Sequence, residues 1–190
     1  METLFYVLNS IRPLSAELQN FLESKLKYKE LKKNDFLLRE GEVCKSVYFI
    51  QQGLIYSYYT LEKGDRLQEA CNWIYQTHDV IFSVFSFYQQ KPSYENIVCL
   101  EDSSFYYISQ ESLYYAYENF IEFNYIGRIL TEKYYLDSES RLHALRKQTA
   151  KDRYEIFIKN YPNLIEKIPL KIIASFLGMN NATLSRIRGD

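Results

Sequence analysis

Apolar and polar positions along this chain change their period several times, and each change marks a different kind of element. In the first stretch Leu14, Leu18, Phe21, Leu22 and Leu26 recur at three- and four-residue steps, predicting an amphipathic helix opened by Pro13 and Ser15 and running to about Lys27. Residues 25–33 are lysine-rich and read as a solvated face. Between Asp35 and Ser109 the texture becomes that of short strands. Runs of β-branched and aromatic residues at 36–38, 47–50, 54–59, 68–74, 96–100 and 105–108 are separated by turn residues including Gly41, Gly53 and Gly64. Such runs predict an antiparallel β-roll or jelly roll. Helical spacing then returns, first over 110–118 behind a Ser109 cap, then over about 122–147. There Phe123, Ile126, Ile129 or Leu130, Lys133, Leu136, Ser140 and Ala144 form an imperfect heptad. Thr149-Ala150-Lys151-Asp152 has capping-box spacing, with Asp in place of Glu. It opens a helix over 150–160 whose Tyr154, Phe157 and Ile158 face inward.

The last stretch predicts two short helices crossing at a tight turn. Pro169 suits a first helical turn, and Ile173, Phe176 and Leu177 give one apolar face. Ala174 leaves room for a crossing helix, while Gly178 tolerates the left-handed conformation that ends the first. Asn180 is a good N-cap for the second helix, whose Leu184 and Ile187 return to the core. Asn181, Ala182, Ser185, Arg186 and Arg188 are left outward, as a reader of the DNA major groove requires. An ordinary helical hairpin with a basic face is the plainer alternative, but it does not require the small residue and the glycine at these offsets.

Charge sharpens the picture. Over the whole chain the net charge is −1, yet residues 1–140 hold 13 Lys and Arg against 20 Asp and Glu, a net −7, while residues 141–190 hold 10 against 4, a net +6. A basic segment behind an acidic body suits a separate unit that meets phosphates. Apolar residues at 47% and charged residues at 25% fit a soluble globular protein. With no apolar run of spanning length and no basic signal flank, the expectation is cytoplasmic, with no membrane partner. Cys44, Cys71 and Cys99 are widely spaced and form no CxxC pair, so no metal and no cofactor are expected and buried free thiols are the simpler reading. His78 and His143 are too few and too far apart for a metal-dependent cupin, and an enzyme is not expected.

The segments Ile173-Ala174-Ser175-Phe176-Leu177-Gly178-Met179 and Thr183-Leu184-Ser185-Arg186-Ile187-Arg188 resemble the C-terminal domain of the Crp/Fnr transcription regulators. The likeness extends to Gly41-Glu42-Val43, to Val47-Tyr48-Phe49-Ile50-Gln51-Gln52-Gly53 and to Lys91-Pro92-Ser93, nearly the whole chain. It implies an α+β protein. A double-stranded jelly-roll-like β-roll with a dimerisation helix (about 122–147) would occupy residues 1–147, and a helix-turn-helix DNA-binding domain residues 148–190. A homodimer would set two recognition helices roughly 34 Å apart on a palindromic operator, with RNA polymerase as a further partner. Base contacts are expected from Asn181, Ser185 and Arg186, and phosphate contacts from Lys171, Asn180, Thr183 and Arg188. The family's usual Arg-Glu opening of the recognition helix is replaced by Asn181-Ala182, which implies altered half-site bases.

In cyclic-AMP-binding members of that family a Gly-Glu pair grips the ribose and an Arg-Ser pair the cyclic phosphate. Here Phe82-Ser83 and Ser93-Tyr94 stand at those positions, so both the carboxylate and the arginine are missing. Binding in the usual mode is therefore expected to be lost, since a buried phosphate without its cation costs several kcal/mol. Phe82, Ser83, Phe85, Ser93 and Tyr94 either line a pocket for an unknown small effector or fill the space and leave a structural roll. A ligand-binding sensor whose basic tail contacts protein or RNA is the alternative function.

Overall fold

The computed structural model describes residues 1–64 and 66–189. Among the described residues the chain forms eight helices and two four-stranded sheets. Two helices lead, α1 (Glu2–Ile11) and α2 (Ala16–Lys25), followed by strands β1 (Lys27–Leu31), β2 (Phe36–Leu38), β3 (Ser46–Gln52), β4 (Leu54–Lys63), β5 (Arg66–Gln76) and β6 (Val80–Ile81). A short helix α3 (Val84–Gln89) precedes β7 (Asn96–Cys99) and β8 (Ser103–Ser109). Then come α4 (Gln110–Asn119), α5 (Ile121–Lys147), α6 (Ala150–Asn160), α7 (Leu170–Phe176) and α8 (Asn181–Gly189). One sheet has the order β1-β8-β3-β6 and the other β2-β7-β4-β5. The mixed α+β roll with a long helix behind it is the architecture the sequence pattern predicts.

Three local results differ from that pattern. Helix α1 is an addition to that pattern; its Leu4, Phe5 and Leu8 lie at helical spacing and are buried in the roll's core. The first predicted helix stops at Lys25, and residues 27–31 of the lysine-rich stretch form β1, paired antiparallel with β8 from Lys27 opposite Tyr107 to Leu31 opposite Ser103. Lys27 is exposed and Lys29 half-buried, while the tilted rings of Tyr28 and Tyr106, 5.3 Å apart, hold the edge. Helix α3 is likewise absent from that pattern, because a six-residue aromatic run carries no readable period. Elsewhere the caps fall where the residues demand: the Ser15 hydroxyl accepts the Leu18 amide, Ser109 the Ser112 amide, and Thr149 with Asp152 forms a complete capping box.

Contacts divide the chain into two compact units. The first comprises Met1–Ser57 with Tyr75–Lys133, the second Tyr58–Ile74 with Tyr134–Asp190. The first is built on one apolar cluster in which Leu18, Ile50, Ile55, Ile81, Phe87, Phe105 and Ile126 are almost wholly removed from water. The second buries Tyr154, Phe157, Leu164, Ile168, Ile172, Ile173 and Leu184 beneath its helices. All three cysteines are buried and free. Desolvation raises each thiol, Cys71 to about 12 and Cys99 to about 11, so they remain protonated.

Candidate functional site

The second unit carries the two crossing helices. Pro169 caps α7 at its N-terminus, and Ile172, Ile173 and Ala174 are buried. At the other end Gly178 has φ +66°, the Met179 amide donates to the Ala174 carbonyl at 2.9 Å, and the Gly178 amide donates to Ser175 at 3.0 Å. These two bonds make a Schellman turn, which satisfies carbonyls that the end of α7 would otherwise leave open. One residue on, Asn180 Oδ1 accepts the Thr183 amide at 2.8 Å and starts α8. Leu184 is fully buried and Ile187 partly so.

That anchor fixes what α8 shows to solvent. Asn181, Ala182, Ser185, Arg186 and Arg188 are exposed, together on the outward face the sequence assigned them. Thr183 is half-buried beside them, and Asn180 is exposed with its side-chain oxygen engaged in the cap. On α7, Lys171 is exposed and its Nζ lies 3.5 Å from a Glu69 carboxylate oxygen on β5.

Sequence reasoning missed two arginines that hold the turn. Arg153 on α6 donates from Nε to the Leu177 carbonyl at 2.7 Å, from Nη1 to Gln148 at 2.7 Å, and from Nη2 to Gly178 at 3.5 Å. Arg141 on α5 donates from Nη2 to the Phe176 carbonyl at 3.0 Å and to Cys71 at 3.4 Å. Its guanidinium lies 4.6 Å from the centre of the Phe176 ring and 5.9 Å from that of Trp73. Burial pushes the Arg141 pKa down, and its Nε has no hydrogen-bond partner among the described residues. Ser175 also accepts the Cys71 amide at 2.8 Å. No local signal announces these contacts: the partners stand 24 to 104 positions apart except for Arg153 and Gln148.

In the first unit the cassette residues Ser83 and Ser93 converge. Ser83 Oγ and Ser93 Oγ are 3.1 Å apart, and both are buried. Ser93 Oγ also donates to the Glu95 carbonyl at 2.8 Å and accepts the Glu95 amide at 3.1 Å. Its backbone bonds both ways to the Gly41-Glu42 loop, at 2.7 Å each. Phe82 packs edge-on against Phe87, with ring centres 5.1 Å apart, and the partly exposed Phe85 and Tyr94 lie against each other at 4.8 Å. Lys91 is exposed. A cleft of about 460 Å³ lies elsewhere in this unit, lined by Leu37, Leu38, Glu42, Val43, Cys44, Lys45, Tyr48 and Ile97, and none of the five cassette residues lines it. Among the described residues no cluster of three or more His, Cys, Asp or Glu side chains is arranged to hold a metal ion, and no helix is long and apolar enough to cross a membrane.

Comparison with known proteins adds to this geometry. Residues 28–120 match the cyclic nucleotide-binding domain family. The sequence has no significant match among curated proteins. Among solved structures, FixK2 from Bradyrhizobium japonicum is 18% identical with a TM-score of 0.71, covering 86% of this chain and 83% of its own. A Crp/Fnr-family transcriptional regulator from Eubacterium rectale is 16% identical with a TM-score of 0.71, covering 97% and 85%. CLP of Xanthomonas campestris, described as a c-di-GMP-responsive global regulator, is 12% identical with a TM-score of 0.70, covering 92% and 90%. Residues 28–120 are thus similar to cyclic nucleotide-binding domains, within a chain that has the fold of the Crp/Fnr regulators.

Proposed function

We propose that this protein is a homodimeric, sequence-specific DNA-binding transcription regulator of Crp/Fnr type, acting in the cytoplasm, in which residues 1–147 serve as sensor and dimeriser and residues 148–190 as the DNA-binding part. The observation that carries the reading is α8: buried Leu184 fixes its roll angle, so Asn181, Ser185 and Arg186 share the solvent face next to a capped N-terminus. That face matches a major-groove reader, where Arg bonds guanine and Asn bonds adenine with two hydrogen bonds each. Lys171, Thr183, Arg188 and the backbone around Asn180 serve phosphates, and RNA polymerase is the downstream partner by likeness to the fold's regulators.

The roll does not hold cyclic AMP in the usual mode. Where that mode needs a carboxylate for the ribose and a guanidinium for the phosphate, Ser83 and Ser93 bond to each other. Lys91 is exposed, and the buried residue two positions after Ser93 is the acidic Glu95, so no cation on this segment offsets the cost of burying a phosphate. A different effector, as in the c-di-GMP-responsive CLP, is compatible with this chemistry.

Selection from a random duplex pool, followed by competition gel shifts while salt is raised from about 50 to 200 mM, tests the function. A palindromic site should be recovered whose binding outlasts that of scrambled duplex. Arg186→Ala should relax one position of the half-site by about 1–3 kcal/mol. Recovery of no preferred sequence, with binding that collapses with salt, would instead favour a sensor whose basic segment contacts protein or RNA.

A further inference from the structure

The turn between α7 and α8 is gripped from two sides by guanidinium groups. The carbonyls of Phe176, Leu177 and Gly178, three in succession, receive Arg141, Arg153 and Arg153 respectively. Arg153 Nη1 also donates to the Gln148 carbonyl, at the junction of α5 and α6, and Arg141 Nη2 also reaches the Cys71 carbonyl on β5. Carbonyls at the end of a helix are short of partners and carry its negative dipole end, so cations are favoured there. A lysine could serve one carbonyl at a time; the arginine fork fixes two or three in a set geometry.

Resting on the DNA-binding reading, we infer that Arg153 and Arg141 are positioning residues for sequence recognition: together they set the angle at which α8 leaves α7 and tie it to the α5–α6 junction. Neither side chain is placed to touch bases. Arg153 spends all three guanidinium nitrogens on backbone carbonyls, and Arg141 lies against the rings of Trp73 and Phe176. Their loss therefore degrades selectivity rather than attraction to DNA. The angle matters because base-edge hydrogen bonds are short and directional, whereas phosphate attraction tolerates displacement.

The test measures specific and scrambled duplex binding for the full-length protein, Arg153→Lys and Arg141→Lys, at a temperature where circular dichroism shows each to be folded. Because charge is retained, scrambled-duplex affinity should stay within about twofold and the salt slope should be unchanged. The ratio of specific to scrambled affinity should fall about tenfold, the scale of one lost base-pair contact. Arg153→Gln, read the same way, should give the same fall in ratio. An unaltered ratio in all variants overturns the inference, and so does a salt slope reduced by about one, which would put the arginine on a phosphate. If the parent protein itself shows no preferred duplex, it is the functional reading that fails.

Discussion

Ser83 and Ser93 join their hydroxyls at 3.1 Å inside the roll, and the Ser93 oxygen also serves both backbone groups of Glu95. A site built this way is already satisfied without a ligand. Ser93→Ala leaves the Ser83 hydroxyl and the Glu95 amide short of a partner in a buried place, and should destabilise the protein by about 1–3 kcal/mol in urea titrations. Titration calorimetry of the parent protein with cyclic AMP should show no saturable heat, and Ser93→Arg alone should not create it, since the carboxylate that grips the ribose is still replaced by Ser83. Saturable cyclic AMP binding by the unaltered chain would refute the reading of the cassette.

If Lys171 serves a DNA phosphate as proposed, Glu69 competes with DNA for it. Their charged atoms are 3.5 Å apart with both side chains well exposed, so the pair is worth less than about 1 kcal/mol to the fold. Its effect on binding should be larger than on stability, because a phosphate must displace the carboxylate to reach the lysine. Glu69→Gln should tighten duplex binding about two- to fivefold while leaving the melting temperature nearly unchanged. In a Lys171→Ala background the gain should vanish; if it persists there, Glu69 acts only through general repulsion of DNA.

How much of this could be read from residues alone follows from the distance over which each feature is encoded. The turn between α7 and α8 lies within some twenty residues, and Ala174, Gly178, Asn180 and Leu184 each have one local reason to be there, so both the helices and the exposed face of α8 were legible. The same holds for the Thr149-Asp152 box. Strand β1 was hidden because its lysine-rich residues lie on an edge whose partner, β8, begins more than seventy residues later. The Arg141 bonds to Cys71 and Phe176 were invisible for the same reason. The Ser83–Ser93 pair lies between these cases. The sequence showed that both cassette groups were missing, but only the fold shows the two serines closing on each other.

The capping box gives a pH signature. The Thr149 hydroxyl, and then the Thr149 amide, donate to the Asp152 carboxylate and hold its pKa below the usual aspartate value. A carboxyl lowered in the folded state stabilises above its unfolded pKa, about 3.9, and the contribution is lost as pH falls through the folded value. The melting temperature of the parent should therefore exceed that of Asp152→Ala at pH 7, and the gap should shrink once pH drops below about 4. Thermal scans by circular dichroism at stepped pH measure it. A gap independent of pH down to about 2 would show that the carboxylate charge does not matter to the cap.

Helix α5 supplies the last test. Over its 27 residues only Phe123 and Ile126 are buried, while Tyr135 and Leu136 are 66% and 63% exposed and Leu142 is 40% exposed. Ile129 and Leu136 stand seven apart, as do Tyr135 and Leu142, which is the spacing of a coiled-coil seam. Apolar side chains in that register on a surface helix are what a parallel partner helix would cover. Leu136→Asp places a charge on the seam and should convert a dimer to monomers in sedimentation velocity at micromolar protein. Because a two-fold operator is held by two recognition helices at once, specific affinity should drop by about a hundredfold or more, while the thermal stability of the monomer should change little. If Leu136→Asp remains dimeric and binds its operator as the parent does, α5 is not the dimer seam, and the two-fold arrangement must come from another surface.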